Sequence, residues 1–161
     1  MPELPEVETV RKQLEEKILN LEVESVSKSR LNLRKPFSCS TSKVKNDKVS
    51  KLGRWGKRLF IHLDSEQFFD ISLGMTGSFR VESQDKFESI KHDHIKIKFT
   101  SGERLVFNDP RRFGWFELQK GAPVLTGWDP VLSPKKDFKH VIDRAKKTEI
   151  NAPFPFGINS W

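Results

Sequence analysis

The sequence predicts a mainly β protein: an antiparallel sandwich or barrel with an N-terminal helix and a second helix near the C-terminus. Three observations predict it. Apolar and polar residues alternate in a series of short runs, most clearly where Ile95, Ile97 and Phe99 alternate with Lys96 and Lys98. Turn-forming residues separate the runs, as in Thr100-Ser101-Gly102-Glu103. Ahead of them, Val7, Val10, Leu14, Ile18 and Leu21 keep the helical period. Short strands with turns between them and a helix at one end are the pattern of a two-layer antiparallel fold.

Each element has its own reason. Pro5 fits the first turn of a helix, where its missing N–H costs nothing. Glu6 and Glu8 lie at the positive end of that helix dipole. The apolar period predicts a helix from Pro5 to Leu21. Residues 36–47, rich in Ser, Thr and Lys, read as a surface loop. Lys57 to Asp64 (Leu59, Ile61, Leu63), Gln67 to Leu73 (Phe69, Ile71, Leu73), Phe79 with Val81, Asp93 to Phe99, Arg104 to Asn108 and Phe113 to Leu118 read as about six strands. The polar stretch from Glu82 to Lys91 reads as a second loop. Asp137 is a candidate N-cap for a helix from Phe138 to Lys147, which ends in a basic turn. The tail, residues 151–161, holds two prolines and a glycine and fits no element. Its four large apolar side chains either fold back on the sandwich or belong against a partner element.

A chain of 161 residues predicts one domain with a real core. Its 35% hydrophobic and 32% charged residues suit a water-soluble protein, and no apolar run reaches the length of a membrane span. The acidic, polar start is neither a signal nor a transit peptide. Cys39 is the single cysteine, which excludes an internal disulfide and a multi-cysteine metal site. The reading is a reducing setting: the cytoplasm, or a nucleus-like compartment in a cell that has one. The net charge of +7 is uneven: from Lys28 to Arg58 eleven basic residues face one acid, Asp47. That stretch nets +10 and the rest of the chain −3. Six more basic residues lie between Lys135 and Lys147. Clustering of this kind favours a polyanion; charge alone leaves nucleic acid and an anionic membrane surface both open.

The first residues carry a distinct chemistry. With Met1 removed, Pro2 becomes an N-terminal secondary amine that can attack an electrophilic carbon and form an iminium. Helix-start signals explain the chain from Pro5 onward but give no role to Pro2 and Glu3. Elsewhere single residues are ambiguous. Met75 and Phe113 could be core, Asp109-Pro110-Arg111-Arg112 could be a turn with two surface arginines, and Trp55 could be packing. His92 and His94 could be a metal pair, though two histidines without cysteines make a poor zinc site.

Four segments in order remove much of that ambiguity: Pro2-Glu3-Leu4-Pro5-Glu6-Val7-Glu8, Gly53-Arg54-Trp55-Gly56-Lys57-Arg58, Leu73-Gly74-Met75-Thr76-Gly77-Ser78 and Asp109-Pro110-Arg111-Arg112-Phe113-Gly114, with His92-Asp93-His94 between the last two. Together they resemble the N-terminal domain of formamidopyrimidine-DNA glycosylase, over about residues 1–150. The resemblance implies a repair enzyme for oxidised purines in damaged double-stranded DNA, a monomer associated with the nucleoid, using no cofactor and no metal for its chemistry. It implies Pro2 as the nucleophile, Glu3 as the proton donor for sugar-ring opening, Glu6 as support for the amine and the helix entrance, and Lys57 as a donor in the site with a part in β-elimination. It implies base flipping, with Met75, Arg111 and Phe113 filling the gap and His92 and Lys146 binding phosphate. The chain also departs from the family pattern. The helix–two-turns–helix domain, the zinc finger with its arginine and the loop that senses the oxidised base have no counterpart, and Ser72 stands where the family usually has histidine. Two readings follow: a glycosylase and abasic-site lyase weakened by those losses, or a non-catalytic DNA-binding relic or truncated product that keeps the fold.

Overall fold

The computed structural model describes residues 3–125, Gly127 and Asp129. Its elements run α1 (Leu4–Ile18), β1 (Val23–Lys28), α2 (Thr41–Val44), β2 (Val49–Trp55), β3 (Arg58–Leu63), β4 (Gln67–Ser72), β5 (Ser78–Ser83), a 3-10 turn (Gln84–Lys86), β6 (Asp93–Phe99), β7 (Glu103–Asn108) and β8 (Trp115–Lys120). The strands form two four-stranded antiparallel sheets, β1-β6-β7-β5 and β2-β3-β4-β8. The arrangement is a sandwich and not a closed barrel. The predicted helix Phe138–Lys147 and the tail lie outside the described residues.

Helix α1 buries Leu4, Val7, Leu14 and Ile18 and packs against β2. It ends at Ile18, a turn earlier than the apolar period suggests, because Asn20 takes a left-handed conformation (φ 66°). Its amide then bonds the carbonyl of Val49 at 2.8 Å, so the chain leaves the helix and crosses onto β2. Leu21 still packs on the core, from outside the helix.

Two strands escape the alternation rule for one shared reason. In β1 the core-facing residues are Val23 and Val26, and in β2 they are Val49 and Leu52. Each pair is three residues apart, not two, because each strand carries a register shift between them, at Val23/Ser25 and Val49/Lys51. A bulge adds one residue and hides the period of two. Residues 36–47 are also not simply a loop. Helix α2 lies there, pinned to β1 by Thr41, whose hydroxyl accepts from the Val26 amide (3.0 Å) and donates to its carbonyl (3.1 Å). Leu33, Phe37 and Val44 reach the core. Phe116 sits fully buried at the centre of an aromatic cluster, with ring centroids of Phe69 at 5.1 Å, Phe37 at 5.7 Å and Phe107 at 5.9 Å. No helix of the described residues is long and apolar enough to cross a membrane.

The registers decide where the loops go. In the second sheet Arg58, Ser72 and Trp115 are cross-strand neighbours. Lys57, Leu73 and Gly114 therefore leave the sheet at one end. In the first sheet Ser78, Asn108 and Asp93 are neighbours, so Gly77, Asp109 and His92 leave at one end too. The β4–β5 and β7–β8 loops each join the two sheets, which makes those two ends the same end of the sandwich.

Candidate functional site

At that end the motif residues fall into two groups. The first is built on the start of α1. Glu3 is the N-cap and closes a capping box with Glu6, whose carboxylate accepts from the Glu3 amide at 2.8 Å. The Glu3 carboxylate also pairs with the ammonium of Lys57 at 3.2 Å, both side chains about a third exposed. Sequence positions 3, 6 and 57 are thus brought together, with Glu6 in the first turn of α1. Pro2, joined to Glu3 by one peptide bond, lies outside the described residues, as does Lys146.

Below this group is a buried charge network. Arg54 counts among the basic residues of the sequence, yet its side chain is wholly buried. Its Nε donates to Glu8 of α1 at 2.6 Å, and its Nη1 donates to the Gly56 carbonyl (3.0 Å) and the Asp129 carboxylate (2.5 Å). The Gly56 amide donates to the same carboxylate at 2.7 Å. Hydrogen bonds from Arg11 and then Arg54 hold the Glu8 carboxyl below the usual range, against the upward push of burial. Arg58, with its side chain 27% exposed, is paired with Asp70 at 2.7 Å. The positive surface is therefore smaller than the residue count suggests.

The second group is a pair of loops. Met75 and Phe113 are 43% and 44% exposed, which rules out a core role for either. Arg111 is exposed and its guanidinium lies 4.8 Å from the centre of the Phe113 ring. The loops touch at Gly74, which has φ 57° and whose missing Cβ would sit 2.5 Å from the Gly114 nitrogen. A Gly74→Ala variant is expected to lose about 3 kcal/mol, from the left-handed conformation and the backbone clash together; urea unfolding measures it. Ser72 uses its hydroxyl to accept from the Gly74 amide at 3.2 Å. It serves the turn.

His92 stands beside these loops at the entrance of β6, with φ 72° and its carbonyl accepting from the Asp109 amide at 3.1 Å. His94 is not its metal partner. It is buried, with Nδ1 2.8 Å from the Ser29 hydroxyl and Nε2 3.0 Å from the Asp109 carbonyl. Among the described residues no group of three or more His, Cys, Asp or Glu could hold a metal ion.

The loop before His92 is fixed by Asp93. Its carboxylate accepts from both terminal nitrogens of Arg80 at 2.6 Å, from Asn108 at 2.9 Å and from the Ile90 amide at 2.9 Å. Burial pushes the Asp93 carboxyl upward, but these donors outweigh it and hold the pKa at about 2. A lowered carboxylate pKa contributes stability that is complete above the unfolded value, near 4, and is lost as pH falls toward 2. An acid unfolding series is expected to show that limb, and an Asp93→Asn chain to lack it.

Residues 1–116 match the family model of the formamidopyrimidine-DNA glycosylase N-terminal domain. The chain is 40% identical over 135 residues to the formamidopyrimidine-DNA glycosylase of Methylocella silvestris, covering 77% of this chain and 46% of the relative. It is 39% identical over 115 residues to that of Rickettsia africae, covering 71% and 42%. Among solved structures, it resembles the Lactococcus lactis Fpg in complex with an abasic site containing DNA, with a TM-score of 0.66 and 28% identity over 74% of this chain and 44% of that one. The chain thus spans about half the length of the curated relatives it matches. By its motifs, its fold and these likenesses, the chain belongs to the formamidopyrimidine-DNA glycosylase family through that family's N-terminal domain.

Proposed function

We propose that this chain is a DNA repair glycosylase and abasic-site lyase acting on oxidised purines through a Schiff base at Pro2. The observation that carries the proposal is the convergence at one end of the sandwich. There the Glu3–Lys57 pair, beside the chain start, shares an end with the exposed Met75, Arg111 and Phe113.

In this reading the neutral Pro2 nitrogen attacks the sugar carbon C1′ and the bond from C1′ to the damaged base breaks. The departing base carries off the C1′–N electron pair and takes up the proton that leaves the Pro2 nitrogen; Glu3, protonated, gives its own proton to the ring oxygen O4′, and the ring opens to the iminium, leaving Glu3 as a carboxylate. The iminium acidifies the neighbouring C–H; loss of that proton breaks the 3′ C–O bond and nicks the strand. Lys57 holds Glu3 in place and presents an ammonium to the phosphate or the lesion. Met75, Arg111 and Phe113 occupy the space of the extruded base: the thioether and the ring fill the stack, and the guanidinium bonds the orphaned partner base. His92 and Lys146 bind backbone phosphate. The chemistry needs no cofactor, and the protein acts as a monomer on damaged duplex DNA in the bacterial cytoplasm.

Borohydride tests this by reducing the iminium to a stable amine. Protein beginning at Pro2 is expected to form a covalent adduct with DNA bearing an abasic site or 8-oxoguanine, more readily with the abasic site. Retained DNA binding without any adduct would leave the other reading, a DNA-binding β scaffold without catalysis.

A further inference from the structure

Thr76 and Asp109 carry no role in the mechanism above, yet they occupy the junction of the two loops that do. Asp109 is fully buried. One of its carboxylate oxygens accepts from the Thr76 hydroxyl at 2.6 Å, and the other accepts from the Gly114 amide at 2.9 Å. The Thr76 oxygen in turn accepts from the Arg111 amide at 3.1 Å. A hydroxyl has one hydrogen to give, and the carboxylate fixes its direction, which leaves an oxygen lone pair for Arg111. Thr76 follows Met75 directly. Gly114 follows Phe113, and Arg111 is itself bonded. One threonine and one aspartate thus hold the backbone next to each of the three exposed side chains.

We infer that Thr76 and Asp109 form a positioning pair that couples the Met75 loop to the Arg111–Phe113 loop, so that the three side chains enter a DNA stack as one preset unit. This inference rests on the gap-filling reading above. The physical reason for such a coupling is preorganisation. Two separate loops each lose freedom when they insert, whereas loops already tied together have lost it before DNA arrives. The Asp109 end of the tie is fully buried and the Thr76 end is partly exposed. Glycines at the same junction (Gly74 and Gly114) let the two backbones come close enough for it.

Thr76→Val tests the coupling, because valine keeps the shape of threonine and removes the hydroxyl. Thr76→Ser restores the hydroxyl and is the rescue. The first readout is amide hydrogen exchange on the full chain without DNA. Arg111 loses its acceptor directly, so Gly114 is the informative amide. Its exchange is expected to rise at least tenfold in Thr76→Val and to stay at the wild-type rate in Thr76→Ser. Unchanged exchange at Ile97 and Phe69 confirms that the core is intact. The second readout is borohydride trapping on two DNAs. Thr76→Val is expected to lower the trapping rate at least tenfold on an 8-oxoguanine duplex, where a base must be extruded and replaced. It is expected to stay within twofold of wild type on a single-stranded abasic oligonucleotide, where no stack needs filling. Equal losses on both DNAs, failure of serine to rescue, or a Gly114 rate that does not move would each overturn the inference. Should the wild-type chain trap neither DNA, the enzymatic reading falls, and the Gly114 exchange rate alone decides whether the loops are coupled.

Discussion

Replacing Arg54 by methionine is expected to destabilise the chain by about 3–5 kcal/mol, the cost of leaving buried carboxylates without their cation. Arg54 is wholly buried and serves three elements at once: Glu8 on α1, the Gly56 carbonyl in the β2–β3 turn, and Asp129. Glu8 keeps Arg11 as a second partner at 2.7 Å, so the larger share of the loss falls on the Asp129 side. Arg54→Lys is expected to lose less than methionine but still well over 1 kcal/mol, because one ammonium cannot reproduce the planar fork that reaches all three acceptors. The loss extends beyond stability. Glu3 rides on α1 and Lys57 on the β2–β3 turn, and Arg54 bonds both elements. Trapping by the folded fraction of Arg54→Lys is therefore expected to fall as the Glu3–Lys57 geometry loosens. Urea unfolding gives the first quantity; a midpoint unchanged by Arg54→Met would contradict the network.

The second large effect concerns the amino terminus. Protein that retains Met1, or carries any residue before Pro2, has an amide nitrogen there with no nucleophilic lone pair. Its trapping rate on abasic DNA is expected to fall on the order of 1000-fold or more. Pro2→Gly tests the secondary amine itself. A primary terminal amine still forms an imine, but that imine must pick up a proton before it withdraws electrons, whereas the proline iminium is permanently charged. A loss of about tenfold or more at neutral pH is expected, narrowing as pH falls. A glycine variant that traps at the wild-type rate across pH would remove any reason for proline at this position.

Much of the site is legible in the sequence because its residues lie in short loops with distinctive chemistry, and β6, which leads from His92, alternates in sequence. Ile95, Ile97 and Phe99 locate β6, and β6 locates His92. What stays hidden is hidden for physical reasons. The bulges in β1 and β2 put core valines and leucines three residues apart, which matches neither a strand nor a sustained helix. Helix α2 is masked by its Ser, Thr and Lys content, although Phe37 and Val44 anchor the segment. Charge counting places Arg54 and Arg58 on a basic surface, because their partners lie 75 and 12 residues further on and no local pattern links them. The Thr76–Asp109 tie spans 33 residues in the same way. Residue type alone leaves Met75 and Phe113 undecided between core and surface. The registers that carry their loops to one end of the sandwich decide it.

The central claim is that the Pro2 nitrogen is the atom that joins DNA. The most direct measurement is peptide mapping by tandem mass spectrometry of the borohydride-trapped adduct after nuclease digestion. The account predicts a chain that begins at Pro2, with the reduced sugar remnant on the proline nitrogen and on no other residue. A remnant on Lys57 or another lysine, or an equal yield of adduct from protein that still begins at Met1, would contradict it.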